Sequence, residues 1–540
     1  MRDLIVTLPS VEITMLLCLL LLALSVGSAG AADQVTWLLE YQGDELPSPD
    51  VWSYQGQGGS VRIEDGALRI VDEADEGVCN YRATFEQPAD TDIVVEARVK
   101  VNDVSGVQSM GRLRPIYSGG PVAVRVGDGS REEGLVLVPG RLTSFLDRMH
   151  MMDTTGDFHT YRLEINGRDM SIFVDGERVI EGRDAFWQPS EAAEPFVTFG
   201  STCEPYFGDS SWEFIRLGVR PHVEREVETQ LRITMSEPWE IPQGDLPRMT
   251  RPYLYNVGGG RLMLSVAQGP DAIFEPYGVL TSTDEGRTWT PIEGLQDKTL
   301  APQPMIRMAD GSIFGASRWT VRYTTPSLHR LGTYVGVSYR FDPDAQSFEM
   351  YESRIHTPEE ILAEGNTTMV FDRDIFRLED DTLLAVTYNS YAGYLLRSTD
   401  RGRTWEYVST IGERHEPGVE FLSDTEMTAV LRQGTMHPLE QVWSEDAGQT
   451  WSEQTVLEFG SVDPDVVLMS NGVLACSYGR PGSCIAFSTD RGRTWSHHRV
   501  VTPDSGFNYN AIREVSPGRL LYIHDAPPLT CLHIDVEVVQ

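Results

Sequence analysis

Cysteine is scarce: six in 540 residues, with no C-x-x-C pair anywhere. That spacing argues against a zinc site. Basic residues are also in short supply. There are 44 Lys plus Arg against 80 Asp plus Glu, a formal net charge of −36. Such a field repels nucleic acid and anionic membrane, so neither is expected as a partner. Long apolar runs are absent apart from "MLLCLLLLALSV" at Met15–Val26. At about a dozen residues it is short for a membrane span. From about Val35 to Val219 no segment carries a convincing helical pattern.

That one run follows Arg2 and precedes "GSAGAADQ", with Ala29 and Ala31 at the spacing a signal peptidase reads. Residues 1–31 are therefore expected to be a cleaved secretory leader, and the chain to be secreted, extracellular or periplasmic. Cys79, Cys203, Cys476, Cys484 and Cys531 remain. Cys79–Cys203 and Cys476–Cys484 could be disulfides in an oxidising compartment, or all five could be small buried residues.

What the sequence has in plenty is repetition. "STDRGRTW" occurs at Ser398–Trp405 and again at Ser488–Trp495, with looser copies at Ser282–Trp289 and Ser444–Trp451. The shared pattern is S-x-D-x-G-x-T-W. Each copy follows an apolar run, and a strand pair with a turn lies upstream. The unit is a four-stranded meander of about 45 residues, the size of a propeller blade. The octapeptide is expected to turn the chain between the third and fourth strands. Asp accepts backbone N–H groups, Gly supplies the unusual backbone angle, and Trp packs between blades. "FDPDAQSFEMYE" from Phe341 stands where a further copy is due, and it is degraded.

Aligning the units on the turn between their first and second strands gives Gly260, Gly311, Asp381, Thr425, Gly472 and Gly518, hence six blades over 248–540. Nine residues upstream, the column reads Arg251, Pro302, Asp372, Glu416, Asp463 and Tyr509. The innermost strands of a propeller begin around one mouth of its channel. Five polar or ionisable groups aimed at one point suggest a binding or catalytic site.

Upstream, from 35 to 222, short β-rich runs alternate with Gly, Asp and Pro turns, and "EINGRDMSIFVDGERV" reads as a hairpin. The pattern is that of a jelly-roll β-sandwich. A polar, Pro-containing stretch at 223–247 reads as a linker. The expected fold is all-β: a sandwich followed by a six-bladed propeller.

"FHTYRLEINGRDMSIFVDGERV" resembles laminin-G or concanavalin-type lectin modules, some of which bind glycans. The four Asp boxes and six blades resemble the sialidase (neuraminidase) family. Sialidases are similar in opening the first blade with an Arg-containing strand, as at Arg251. They place a Glu at the start of a later inner strand, as at Glu416, and a Tyr at the start of the last blade, as at Tyr509. The resemblance implies three arginines, with Arg432 and Arg480 completing the set, and an acid/base on a blade-one loop. In "GPDAIFEPYG" that is Asp271 by residue type or Glu275 by spacing.

Three guanidiniums can clamp a carboxylate with bidentate bonds. Beside an anionic sugar a neutral Tyr is a better nucleophile than a carboxylate. The resemblance implies retaining hydrolysis of a terminal glycoside, with Tyr509 as nucleophile, Glu416 as its base, and no metal or organic cofactor. Asp372 and Asp463 add negative charge, which opposes an anionic sugar and suits hydroxyl groups or a cation. A non-catalytic glycan- or protein-binding propeller, and a glycosidase or lyase using Glu416 and Asp463 on a non-sialic sugar, remain alternatives.

Overall fold

The computed structural model describes residues 34–539 except 57–58, 74–77, 105–119, 145–147, 183–184, 187, 203–206, 224–229, 244–248, 270–274, 323–332, 343–346, 359–360, 362–367, 414, 435–436, 481, 503–508 and 526–527. The expected leader, Asp271 and Cys203 lie outside the described residues. Among the described residues the chain is all-β, and no helix is long and apolar enough to cross a membrane.

Two antiparallel sheets form the N-terminal half. The larger is centred on the long strands Thr91–Asp103 and Gly208–Pro221; the other is centred on Ala123–Asp128 and Pro195–Ser201. Inward residues of both, among them Leu68, Val95, Trp212, Val124, Val197 and Phe199, make one core. The hairpin at "NGR" forms as read: His159–Asn166 pairs with Asp169–Val174, which pairs with Glu177–Gly182. Asp175 and Gly176 both take positive φ, 50° and 87°, as a tight two-residue turn requires.

From Thr250 onward, the first strands of the six expected units are Thr250–Asn256, Pro302–Arg307, Thr368–Arg377, His415–Phe421, Val462–Leu468 and Asn510–Ser516. Each lies beside the next, and the last lies beside the first. The apolar cores obey the same cycle. Each of six clusters joins two successive units, and the sixth joins the last to the first through Ile523 and Leu529 against Leu254 and Leu264. No unit buries its faces alone, so the stability of each depends on its neighbours.

Carboxylates stitch the first strands together. Asp374 accepts the backbone N–H of Val419 at 2.7 Å, Glu420 that of Leu468 at 3.1 Å, and Asp465 that of Ile512 at 2.9 Å. Each bond crosses from one unit to the next.

The repeated octapeptide lies between the third and fourth strands in all four copies. In Ser398–Trp405 the Asp400 carboxylate accepts from Ser398 Oγ and the Thr404 N–H, both at 2.8 Å. Gly402 has φ 75°, and a Cβ there would strike the Phe314 ring of the preceding unit. Trp405 is fully buried and donates to Ser353 Oγ at 3.1 Å, also in the preceding unit. The motif is thus both a turn and a wedge.

Two departures from the expected plan have local causes. The stretch read as a linker contributes Gln230–Met235 and Trp239–Glu240, which pair with Thr530–Val539 and close the last sheet. Where the octapeptide is degraded, Ser347–His356 pairs in parallel with Thr404–Gly412, and Trp319–Arg322 pairs with Thr368–Arg377, together fusing the second and third units into one nine-stranded sheet. Cys476 and Cys484 sit on adjacent strands as buried thiols not joined in a disulfide; Cys79 and Cys531 are likewise not in disulfides.

Candidate active site

Five of the six first strands carry a bulge near their start. The register slips between Thr250 and Pro252, Pro302 and Met305, Phe371 and Ile375, His415 and Gly418, and Val462 and Asp465. A bulge sets two residues against one and re-aims a side chain. Arg251, Glu416 and Asp463 hold φ of 48°, 49° and 51°. A left-handed backbone costs a non-glycine residue roughly 1–3 kcal/mol, and such strain gathers at functional sites. Here it recurs at one register in three units.

These bulges bring most of the predicted column together. Arg432, at the end of the second strand of the fourth unit, donates from Nη1 to Glu416 Oε1 at 2.6 Å. The same guanidinium hydrogen-bonds the Tyr509 hydroxyl. Burial alone would raise the Glu416 carboxyl, but the charge and hydrogen bond of Arg432 hold it below its usual range. Glu416 Oε2 is buried with no hydrogen-bond partner. Burial pushes the Tyr509 phenol well up; the nearby Glu416 and Asp463 add to that, while Arg432 and Arg480 oppose it. The main chain of Tyr509 is fixed by Asp525, whose Oδ1 accepts its N–H at 3.1 Å and whose N–H donates to its carbonyl at 3.0 Å.

On the opposite side, Arg251 and Glu275 form a buried ion pair, and Tyr277 donates to Glu275 Oε1 at 2.7 Å. Both Glu275 oxygens are therefore engaged. Arg480 lies near enough to Tyr509 for its charge to act on the phenol.

Asp463 is buried, ion-paired with Arg373, and accepts the Asn510 N–H at 3.3 Å. Arg373 also reaches Asp465 at 3.1 Å. Asp463 thus has structural partners from the third and sixth units. Asp372 differs. It is 1% exposed, and its Oδ1 has no hydrogen-bond partner. Burial raises its carboxyl to about 7, with Asp463 and Glu416 adding and Arg373 and Arg318 opposing.

Two basic residues at this mouth escape a reading of the column. Arg373 is the neighbour of Asp372. Arg318 donates to Tyr253 Oη at 2.9 Å and to Tyr388 Oη at 3.1 Å. A second column would have found Arg318. In an antiparallel hairpin, the end of the second strand lies beside the start of the first. Seven or eight residues past each turn, the sequence holds Gln268, Arg318, Asn389, Arg432, Arg480 and Asp525. Among the described residues no cluster of His, Cys, Asp and Glu could hold a metal ion.

Residues 358–523 match the family model of the BNR repeat-like domain. That segment of the chain is BNR repeat-like. The matched BNR region contains Asp372, Glu416, Arg432, Asp463, Arg480 and Tyr509. Solved structures similar to the chain include a protein of unknown function from Dyadobacter fermentans, 18% identical over 56% of this chain and 99% of that one, TM-score 0.44. A Hadza microbial sialidase is 13% identical over 84% of this chain and 95% of its own, TM-score 0.44. A mutant of the NanB sialidase of Streptococcus pneumoniae is 14% identical over 83% and 95%, TM-score 0.39. No curated protein matches the chain.

Proposed function

We propose that this protein is a secreted exo-glycosidase of the sialidase type, acting by retaining hydrolysis on a terminal glycoside, with sialic acid the leading candidate. In this reading the leader ends near Ala31, 35–222 is a jelly-roll sandwich, and 248–540 is a six-bladed propeller. The observation that carries the reading is the contact of one guanidinium, Arg432, with both Glu416 and Tyr509. A purely binding mouth has no need of a phenol beside a carboxylate kept ionised.

Tyr509 Oη attacks the anomeric carbon as the bond to the leaving oxygen breaks. Its proton passes to Glu416 Oε2, the oxygen that Arg432 leaves unoccupied. The leaving oxygen takes a proton from Asp271, favoured over Glu275 because both Glu275 oxygens are already held by Arg251 and Tyr277. In the second step Asp271 deprotonates water, which attacks the same carbon, and Tyr509 recovers its proton from Glu416. Arg251, Arg432 and Arg480 would face the sugar carboxylate.

A neutral sugar is the second reading, because Glu275 and Glu416 already offset two of those arginines. The test is 4-methylumbelliferone release from a panel of its glycosides, N-acetylneuraminic acid first, by wild type and Tyr509→Phe. Release by wild type that collapses in the variant supports the reading. Release from no conjugate, with the fold intact by circular dichroism, overturns it and leaves the propeller as a binding module.

A further inference from the structure

Three consecutive first strands, of the third, fourth and fifth units, present Asp372, Glu416 and Asp463 to one mouth. Their oxygens are not equivalent. Asp463 is taken by Arg373 and the Asn510 N–H, and Glu416 Oε1 by Arg432. Two oxygens remain buried and without a partner: Glu416 Oε2, which the hydrolase reading assigns to the Tyr509 proton, and Asp372 Oδ1, which that reading leaves unassigned. Asp372 lies within electrostatic reach of four charged neighbours. It senses Arg373, Arg318, Asp463 and Glu416, while Tyr388 senses Asp372, Glu416 and Tyr509 together. Asp372 therefore stands inside the cluster that holds the candidate nucleophile.

A buried acceptor left without a donor costs about 1–3 kcal/mol. Native proteins rarely leave one so unless a bound group completes it. The strand start that carries Asp372 is bulged, so the main chain is bent to present this segment. A carboxylate on the ligand would be repelled here by Asp372, Glu416 and Asp463. A hydroxyl is neutral, small and a donor.

We propose that Asp372 is a specificity-determining residue that accepts a hydrogen bond from one ring or side-chain hydroxyl of the bound sugar, so that the site selects a polyhydroxylated sugar by that hydroxyl. This rests on the mouth being a sugar site, as in the hydrolase reading, but not on its catalysing hydrolysis. A site built to pair a hydroxyl rejects the analogue lacking it, because the buried acceptor is then stranded.

The experiment is calorimetric binding to the full chain of the methyl glycosides of N-acetylneuraminic acid, galactose, rhamnose and xylose, then of the monodeoxy series of the tightest binder. Wild type, Asp372→Ala and Asp372→Asn are compared, each with an intact thermal transition. One monodeoxy sugar should bind wild type about 10- to 100-fold more weakly than its parent, matching one unpaired buried acceptor. Asp372→Ala should bind parent and deoxy sugar within about twofold of each other. Asp372→Asn keeps a carbonyl acceptor and should retain part of the discrimination. Equal deoxy penalties in wild type and Asp372→Ala overturn the proposal, as does binding of none of the four sugars. Asp372-dependent discrimination without turnover of any umbelliferyl conjugate leaves this inference standing and removes the hydrolase reading. Turnover without such discrimination does the reverse.

Discussion

Arg432 Nη1 lies 2.6 Å from Glu416 Oε1, and its guanidinium also hydrogen-bonds the Tyr509 hydroxyl. One cation therefore keeps a buried carboxylate ionised and steadies a buried phenol. Removing it should be felt twice. Arg432→Ala leaves Glu416 as an uncompensated buried charge, a loss of about 3–5 kcal/mol in urea unfolding. Arg432→Lys keeps the charge but not the fork that holds both partners. It should preserve most of the stability while lowering kcat/KM by about tenfold or more. Equal stability losses in the two variants would show that a positive charge alone does not compensate Glu416.

Glu416→Gln should lower kcat by about 10²–10⁴, the usual contribution of a general base, and should also lower the thermal midpoint, because Arg432 loses its buried charged partner. Glu275→Gln should lower stability in the same way, because Arg251 loses a buried partner, but without the fall in kcat. A variant pattern in which Glu275→Gln abolishes turnover at unchanged stability would move the acid/base role from Asp271 to Glu275.

The octapeptide is structural, and its variants should destabilise without touching rate. Asp400→Ala removes acceptors for Ser398 Oγ and the Thr404 N–H and should cost about 1–3 kcal/mol. Gly402→Ala adds a Cβ against Phe314 at a φ of 75° and should cost at least about 2 kcal/mol. Turnover per folded molecule should stay within about twofold of wild type in both.

Stability should fall from mildly acidic to mildly basic pH. Burial pushes Asp372, Glu420 and Glu458 each up to about 7. Their unfolded values are ordinary, so between about pH 4 and 7 the native state binds more protons than the unfolded chain. The stabilisation is present below the unfolded values and is lost as pH rises through the folded ones. Thermal midpoints should decline from pH 5.5 to 8. Asp372→Asn, which cannot ionise, should melt higher than wild type at pH 8 and close to it at pH 5. A wild-type midpoint that rises steadily over this range contradicts the assignment.

Much of the fold and the candidate site is legible in the amino-acid sequence, and the parts that are not share a cause. The Asp boxes are local: their Ser, Asp, Gly and Thr satisfy one turn, so eight consecutive letters specify it. The column at Arg251, Asp372, Glu416, Asp463 and Tyr509 is legible because the units keep a nine-residue step from the start of the first strand to the turn. Arg373 is not, since its partner Asp463 lies 90 residues on and meets it only when the cycle closes. The closing strand Gln230–Met235 reads as linker because it is short and sits among polar residues. Even so, buried Leu231 and half-buried Ile233 alternate with exposed Arg232 and Thr234, as an edge strand should. The fusion of the second and third units has no sequence signal beyond the degraded repeat at Phe341.

Covalent trapping tests the central claim most directly. The full chain would be incubated with a 2-deoxy-2-fluoro or, for sialic acid, a 3-fluoro glycosyl fluoride, digested, and mapped by mass spectrometry. A glycosyl adduct on Tyr509, absent in Tyr509→Phe and accumulating with loss of turnover, is the predicted result. An adduct on Glu416 or Asp463, or hydrolysis with no adduct on Tyr509, would contradict a tyrosine nucleophile.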